Sequence, residues 1–549
     1  MSVRRRLVLP LVVFAVVVAA GFVGACTDEE TVYVPREPFN PPPDEVSGFL
    51  GYYTAEEKLT TCGNCHVETH SQWRDLSGHS GAWQALVDAG QDDNPDCTSC
   101  HAVSENGNPT DAPAGYSAVA DEAYHDVQCE NCHSPGFDHV QVPDNRDSWP
   151  IARADVTIDP GTGRVLDTDA SCASCHGVSH GPRSLAGDWL ASGHADINTS
   201  PASDPGCAGC HNGKAIMLRY QGQTSNYVER DSTSGQYQFL SITCTSCHDP
   251  HGSPNPSMLR LPIDLPDLQT NLCMSCHNRG TEPAASYSNG DRGPHAAQGP
   301  VLIGSGAGYT PGGFAFDTVQ AYGTHASGAN ARLCAGCHVN SFSATSGGVT
   351  VEYSGHQFLP IPCVDGEGAI TDTQDCGYGA TERFWGACTA AGCHGDATVA
   401  STLFTLQRQN VQDLIDVIWI NSDGVGGSGR PQVSALDGGY LGQIFNTDAS
   451  EFTKEEGTPA DPYVLTPAEG ALFNAQMLAE ELYDRPDGSK GVHNPFYYEA
   501  LLAATISELE DTYPFLSVRT EPRIRQLIDR ALSRPGFRYV HPSGRVASR

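Results

Sequence analysis

Eight copies of the pattern C-x-x-C-H occur between residues 62 and 338, and a ninth, CTAAGCH at 388–394, has four residues between its cysteines. These nine pairs use 18 of the 21 cysteines, so their spacing constrains how the chain can fold. The paired cysteines are Cys62 and Cys65, Cys97 and Cys100, Cys129 and Cys132, Cys172 and Cys175, Cys207 and Cys210, Cys244 and Cys247, Cys273 and Cys276, Cys334 and Cys337, and Cys388 and Cys393.

The histidine that follows each second cysteine distinguishes between the chemical roles that paired cysteines can have. Zinc needs two cysteine pairs per metal and no fixed histidine. Disulfides place no demand on the following residue. Attachment of haem c requires two thiols that reach the porphyrin vinyl groups and an adjacent histidine that binds the iron. The pattern predicts nine covalent haem c groups, with proximal ligands His66, His101, His133, His176, His211, His248, His277, His338 and His394.

Three cysteines lie outside these motifs. Cys363 and Cys376 are predicted to form a disulfide in an exported chain, and the alternatives are a free thiol pair or a ligand role. Cys26 ends VGAC at 23–26, which resembles a bacterial lipoprotein cleavage box and implies lipidation of Cys26. Thr27 stands where an aspartate would favour the inner membrane, so the resemblance implies outer-membrane sorting.

The N-terminus predicts export. Residues 1–25 combine three arginines with a long apolar run, as in a signal peptide. The run is also long enough for a retained membrane anchor, which is the alternative. Residues 26–60 are interpreted as an acidic, proline-rich tether.

The net charge and the amino-acid composition limit the class of protein. The formal net charge of −34 argues against nucleic acid as a partner, because nucleic-acid binding needs clustered Lys and Arg. The apolar fraction of 39% is below the usual 45–50%. We therefore expect the haems to supply much of the core, in a mainly α and irregular fold of short helices and loops with little sheet.

The motifs also suggest a division of the chain. Residues 61–215 form a predicted five-haem module, 216–395 a four-haem module, and 396–549 a helical haem-free lid. Helical periodicity is seen at 400–420, 466–483, 495–510 and 521–533, and 216–243 is a candidate hairpin.

Twelve histidines remain for the distal side of the irons, so counting forces no vacancy. Met217, Met258, Met274 and Met477 are alternative ligands without distinctive context. Paired histidine ligands favour lower reduction potentials than His/Met pairs.

Residues 61–140 contain TCGNCHVETHSQWRDLSGHSGAWQAL and CENCHSPGFDHV, and resemble the tetrahaem cytochromes of ammonia oxidisers. The resemblance implies distal roles for His79 and His139. WLASGHAD at 189–196 repeats the first pattern and implicates His194, and CHGVSHGP at 175–182 implicates His180.

CTSCHDPHGSPNPSMLRLP with LCMSCH resembles doubled C-x-x-C-H cytochromes of outer-membrane and extracellular electron conduits. This resemblance implies distal roles for His251, His295, His325 and His493. Two further histidines, His125 and His356, are weaker candidates, whereas His70 and His541 are not expected to bind iron. His251 is too close to His248 to reach the same iron, and is predicted to serve a neighbouring haem, for which we favour that of Cys273 and Cys276.

These features predict an electron carrier that is an outer-membrane lipoprotein on the periplasmic or cell-surface face. Other redox proteins such as periplasmic cytochromes are its expected partners, and the resemblance adds a β-barrel porin. The alternative is a reductase or oxidase of a small nitrogen or sulfur species at one open haem, sought first at 388–394 beside Tyr378 and Arg383. A third reading is a subunit of a haem filament.

Overall fold

The structure is a computed structural model that describes residues 41–108, 110, 112–150, 157–158, 165–167, 171–177, 185–220, 240–279, 283, 294–304, 307–316, 324–423, 433–452, 464–479, 487–518, 521–534 and 537–539. By contacts the chain divides into two compact units, residues 1–41 and 42–549. The fold described below belongs to the second unit. Cys26, His180, His541 and most of the candidate hairpin at 216–243 lie outside the described residues. The finer division into two haem modules and a lid stays a prediction.

Short helices or single turns carry the attachment motifs. In the first 395 residues they are α1 Val67–Leu76, α2 Ala82–Ala89, α3 Pro95–His101, α4 Cys129–His133, α5 Phe137–Gln141, α6 Ser171–His176, α7 Leu185–Leu190, α8 Thr199–Ser203, α9 Ala208–His211, α10 Gly213–Tyr220, α11 Cys244–Cys247, α12 Gln298–Ile303, α13 Cys334–His338 and α14 Gly386–Thr389. Single 3₁₀ turns occur at Cys62–Asn64, Gly78–Gly81, Glu122–Tyr124, Arg146–Ser148, Pro256–Met258, Thr324–Ala326, Gly328–Asn330 and Ala449–Phe452.

The motif spacing makes one helical turn. The backbone N–H of the histidine donates to the carbonyl of the first cysteine, at 2.9 Å from His66 to Cys62 and 2.8 Å from His248 to Cys244. Residues four apart share a helix face, so the first thiol and the imidazole project to the same side. The longer ninth motif forms the equivalent hydrogen bond, from His394 N to Cys388 O at 3.0 Å, despite its two extra residues.

Strands are few and short. They are β1 Tyr52–Thr54, β2 Leu59–Thr60, β3 Thr157–Ile158, β4 Val165–Asp167, β5 Phe314–Phe316, β6 Phe342–Ser346, β7 Val349–Tyr353 and β8 Phe537–Tyr539. They form the two-stranded antiparallel pairs β1–β2, β3–β4, β5–β8 and β6–β7. The described residues contain no closed sheet, which confirms the mainly helical and irregular fold class.

The β6–β7 hairpin was not expected from sequence. Gly347 and Gly348 have φ of 59° and 81° and form its two-residue turn. Such a turn needs positive φ at both positions, which glycine adopts without steric cost.

The C-terminal region is helical, as predicted. Its helices are α15 Ala397–Ile418, α16 Gly439–Thr447, α17 Pro467–Leu478, α18 Pro495–Thr512 and α19 Pro522–Leu532, of which α16 was not predicted. The Thr466 hydroxyl accepts from Glu469 N while the Glu469 carboxylate accepts from Thr466 N, so α17 begins with a capping box. Asn494 caps α18 by accepting from Tyr497 N.

These five helices enclose a conventional hydrophobic core. Leu414, Phe473, Leu501 and Ile506 are all fully or almost fully buried in one cluster. The buried clusters among the attachment motifs are much smaller, such as Trp189, Ala195, Met217 and Leu240. The helical region therefore has its own apolar core, whereas the motif-bearing region has little.

In the part of the chain that the structure describes, no helix combines the length and apolar character needed to cross a bilayer.

We expect Leu501→Ala to lower the free energy of unfolding by about 2–5 kcal/mol, because a fully buried leucine leaves a cavity. Leu436→Ala is the control, since that side chain is 74% exposed and such surface changes usually cost no more than about 0.5 kcal/mol. Chemical unfolding followed by far-ultraviolet circular dichroism measures both. Equal effects would show that the C-terminal cluster does not act as a core.

Candidate haem-binding sites

We number the attachment sites 1 to 9 in chain order, from Cys62–His66 as site 1 to Cys388–His394 as site 9. Seven motif histidines each face a second histidine from a distant segment. The ring-centre separations are 6.3 Å for His133 and His251, 6.3 Å for His176 and His79, 5.9 Å for His211 and His295, 6.3 Å for His248 and His356, 6.3 Å for His277 and His194, 6.2 Å for His338 and His493, and 6.1 Å for His394 and His325.

This separation is too large for the two rings to touch. Imidazole nitrogens bind a transition metal such as zinc at about 2.0–2.1 Å, and each lies about 1 Å from its ring centre, so two axial imidazoles have centres roughly 6 Å apart. The measured 5.9–6.3 Å matches that value in all seven pairs. The residues of sites 3 to 9 thus fit a haem iron between two histidines.

A continuous cavity of about 3360 Å³ joins these pairs. Both histidines of all seven pairs line it, together with cysteines of sites 3 to 9. A pocket for one ligand is usually about 300–1,000 Å³. The volume therefore suits several large cofactors in mutual contact, and explains why little side-chain core exists in this region.

Hydrogen bonds orient several of these rings. Nδ1 lies 2.7 Å from the Ser257 carbonyl oxygen in His248, 2.9 Å from that of Phe358 in His338, and 2.7 Å from that of Val492 in His325. A carbonyl can only accept, so Nδ1 carries the proton and Nε2 has its lone pair free for a metal.

Burial favours the neutral form of several of these imidazoles. It lowers the pKa of His194 to about 4 and that of His338 to about 4. Burial also lowers the pKa of His79 and of His325 below the usual histidine value. A metal ligand must be deprotonated, so these groups are in the form that binds iron near neutral pH.

Cysteines of different sites also meet. Side-chain contacts join Cys62 with Cys129, Cys100 with Cys175, Cys172 with Cys244, Cys210 with Cys276, and Cys273 with Cys334. Asn106 Nδ2 donates to both Cys100 and Cys175, at 3.2 and 3.5 Å. Cys132 also lies near Cys175, Cys247 near Cys273, and Cys337 near Cys393.

Other candidate histidines have different surroundings. The His125 ring stacks on Trp83 with centres 3.7 Å apart, so that face of the ring is covered by indole. His70 is buried, its ring centre lies 5.7 Å from that of Trp73, and it accepts a hydrogen bond from Thr60 N. His139 has a buried Nδ1 for which the described residues offer no hydrogen-bond partner, and it stays a candidate ligand.

The expected target of His251 was wrong. His251 faces His133 of site 3, whereas His277 of site 7 faces His194. The doubled motif did not show this, because closeness in sequence to site 7 does not decide which motif histidine His251 faces after folding. His325 stands opposite His394, so site 9, the expected location of an open iron under the reductase or oxidase alternative, has an imidazole on each side.

The two cysteines outside the motifs and the four methionines that the structure describes bond to or pack against other side chains. Cys363 and Cys376 are joined by a disulfide. Met274 packs in an apolar cluster with Leu302 and Leu333, and Met477 lies in the C-terminal core. Met217 packs beside Trp189, and Met258 Sδ accepts a hydrogen bond from Ser77 at 3.2 Å.

Comparison with known proteins identifies two families in separate segments. Residues 61–134 match the family described as cytochrome c554 and c-prime, and residues 239–282 match the doubled CXXCH motif. The chain is 22% identical over 287 residues to the multiheme cytochrome MtrA of Shewanella baltica (strain OS185), an alignment that covers 50% of this chain and 70% of that protein. No solved structure matches the chain.

The sites and the matches together define a c-type cytochrome that binds haem covalently and transfers electrons. More particularly, it is a multihaem cytochrome that is similar to the cytochrome c554 and c-prime family at residues 61–134 and to the doubled CXXCH family at residues 239–282.

We expect His194→Ala to open one axial position at site 7, because His194 faces His277 at 6.3 Å. Electron paramagnetic resonance of the oxidised protein should then show one new high-spin iron. His70→Gln is the matched control, since its side-chain oxygen can still accept from Thr60 N and the spectrum should stay unchanged. A high-spin signal in the control, or none in the His194 variant, would contradict this ligand assignment.

Proposed function

We propose that the chain conducts electrons along a line of attachment sites in the order 1, 3, 4, 6, 7, 8, 9, with site 2 beside site 4 and site 5 beside site 7. The observation that carries this proposal is the set of cysteine contacts between sites. Cys62–Cys129 joins sites 1 and 3, Cys172–Cys244 joins sites 4 and 6, and Cys273–Cys334 joins sites 7 and 8.

Cysteines that lie near one another without a side-chain contact supply the other links. Cys132 and Cys175 connect sites 3 and 4, Cys247 and Cys273 connect sites 6 and 7, and Cys337 and Cys393 connect sites 8 and 9. The two remaining contacts, Cys100–Cys175 and Cys210–Cys276, attach sites 2 and 5 as side branches.

Haem c, when bound, accepts and releases single electrons, and the protein supplies its orientation and tuning. The paired imidazoles at sites 3 to 9 would occupy both axial positions and exclude substrate from the iron. This arrangement supports an electron carrier with nine haems and low reduction potentials over a reductase or oxidase. Within-chain pairing also favours a carrier over a filament, whose subunits would need to exchange ligands.

The setting proposed for this carrier is the outer membrane of a bacterium, with a lipid on Cys26. The expected tether at 26–60 was too long, because Phe49 and Tyr52 are buried and Tyr52–Thr54 pairs with Leu59–Thr60, so the proposed tether ends before residue 42. The strongly acidic surface favours redox partners that present basic patches around their own haems, such as periplasmic cytochromes. A β-barrel porin is the further partner that the resemblance to outer-membrane conduits suggests.

The electron-carrier proposal is tested on purified protein. We expect nine haems per chain by pyridine haemochrome assay, reversible reduction over a range of negative potentials, and low-spin signals at sites 3 to 9. The alternative predicts a high-spin iron in the wild type together with turnover of nitrite, hydroxylamine or a sulfur oxyanion. Detecting both would overturn the proposal, and a haem content far below nine would remove its basis.

The membrane proposal is tested by Cys26→Ala, which should move the protein from the membrane fraction to the soluble periplasmic fraction. Thr27→Asp is the matched variant, because it keeps the lipidated cysteine and should shift the protein from the outer to the inner membrane. Fractionation with immunoblotting measures both. An unchanged Cys26→Ala distribution would favour the retained N-terminal anchor.

A further inference from the structure

A buried carboxylate contacts one of the paired histidines. The Asp487 side chain is 0% exposed, and its Oδ1 lies 2.7 Å from Nδ1 of His493. The other carboxylate oxygen accepts from Ser489 N at 3.1 Å and from the Ser489 hydroxyl. His493 N in turn donates to that hydroxyl at 3.2 Å. The three residues therefore form a closed hydrogen-bonded network behind His493.

This partner differs in charge from those of other paired histidines. Neutral carbonyl oxygens accept from Nδ1 of His248, His338 and His325. Asp249 is near His251, but its Oδ1 is 3.6 Å from Nδ1, beyond hydrogen-bond distance. Asp249 is also paired with Arg260 at 2.9 Å. Site 8 thus has one carbonyl-bonded histidine, His338, and one carboxylate-bonded histidine, His493.

A carboxylate on Nδ1 makes an imidazole a stronger electron donor to the metal. A buried negative charge also acts through a low dielectric, where it is poorly screened. Once Nε2 of His493 binds iron, the donors around Asp487 in this network are neutral, so the positive ferric centre is the charge that compensates the carboxylate. Both effects stabilise the oxidised state and lower the reduction potential.

The same segment supports the next site. The Val492 carbonyl oxygen lies 2.7 Å from Nδ1 of His325, the histidine that faces His394 at site 9. Asp487 to His493 is therefore a short segment that holds the second histidines of two consecutive sites. A change of charge at Asp487 acts where the proposed line passes from site 7 through site 8 to site 9.

We propose that Asp487 is a tuning residue that sets the reduction potential of the haem held by His338 and His493 below those of its neighbours. Electron transfer between site 9 and the other sites must then pass through site 8, where the electron has a higher free energy. The proposal rests on the proposed function, because it requires haem at site 8. Asp487 itself positions and polarises His493 and contacts no iron.

The test is a spectroelectrochemical titration of full-length protein carrying Asp487→Asn, which keeps the size and the acceptor oxygen and removes the charge. We expect one of the nine components to gain about tenfold in its affinity for the electron, which for a one-electron couple is a rise of about 59 mV. One low-spin signal in electron paramagnetic resonance should shift with it. Ser489→Ala should shift the same component the opposite way, since the carboxylate loses a hydrogen-bond donor.

Asp249→Asn is the matched control, because Asp249 is paired with Arg260 and its Oδ1 is beyond hydrogen-bond distance of Nδ1 of His251, a histidine of another site. It should leave the site 8 component at its wild-type potential. Haem content and spin state of every variant are measured first, so a wild type without haem at these sites would refute the proposed function itself. With haem intact, coincident curves for wild type and Asp487→Asn, or an equal shift in Asp249→Asn, would overturn the tuning role.

Discussion

The structure depends on imidazole rings held roughly 6 Å apart, in pairs drawn from distant segments. Each pair is spaced for one metal with two axial ligands, and each joins a motif histidine to a residue far away in sequence, as in His338 with His493. Such a pair acts as a cross-link once iron is bound, because metal binding free energy then adds to folding free energy. The motif region consequently needs little apolar core of its own.

The C-terminal helices are instead stabilised by apolar packing. Their buried leucines, alanines and aromatic rings form an ordinary close-packed core. Yet this region also reaches into the motif region, since residues of α15 and the segment from 487 to 493 line the large cavity. The helical region therefore combines self-contained packing with ligand supply, and the loop before α18 is the point at which the two meet.

Local sequence predicted local features well. The C-x-x-C-H spacing fixes a helical turn that presents thiol and imidazole on one side, and this needs no distant contact. The predicted C-terminal helices at 400–420, 495–510 and 521–533 were confirmed, and the one predicted at 466–483 was confirmed as far as Leu478, because apolar periodicity and caps are local signals. The hairpin at 342–353 was missed, because its strands carry mixed polar residues and only the Gly347–Gly348 turn marks it.

The sequence by itself determined the attachment chemistry and most of the histidines that stand opposite the motif rings. Both the attachment cysteines and these histidines lie in short, recognisable sequence motifs. Only the tertiary structure decided which histidine faces which motif, and hence which sites adjoin. His251 shows why. The covalent chain fixes its position just after site 6, but the packing of separate segments determines that it faces His133. Likewise, nothing near Asp487 in the sequence marks it as the partner of His493; that contact exists because the intervening loop folds back on itself.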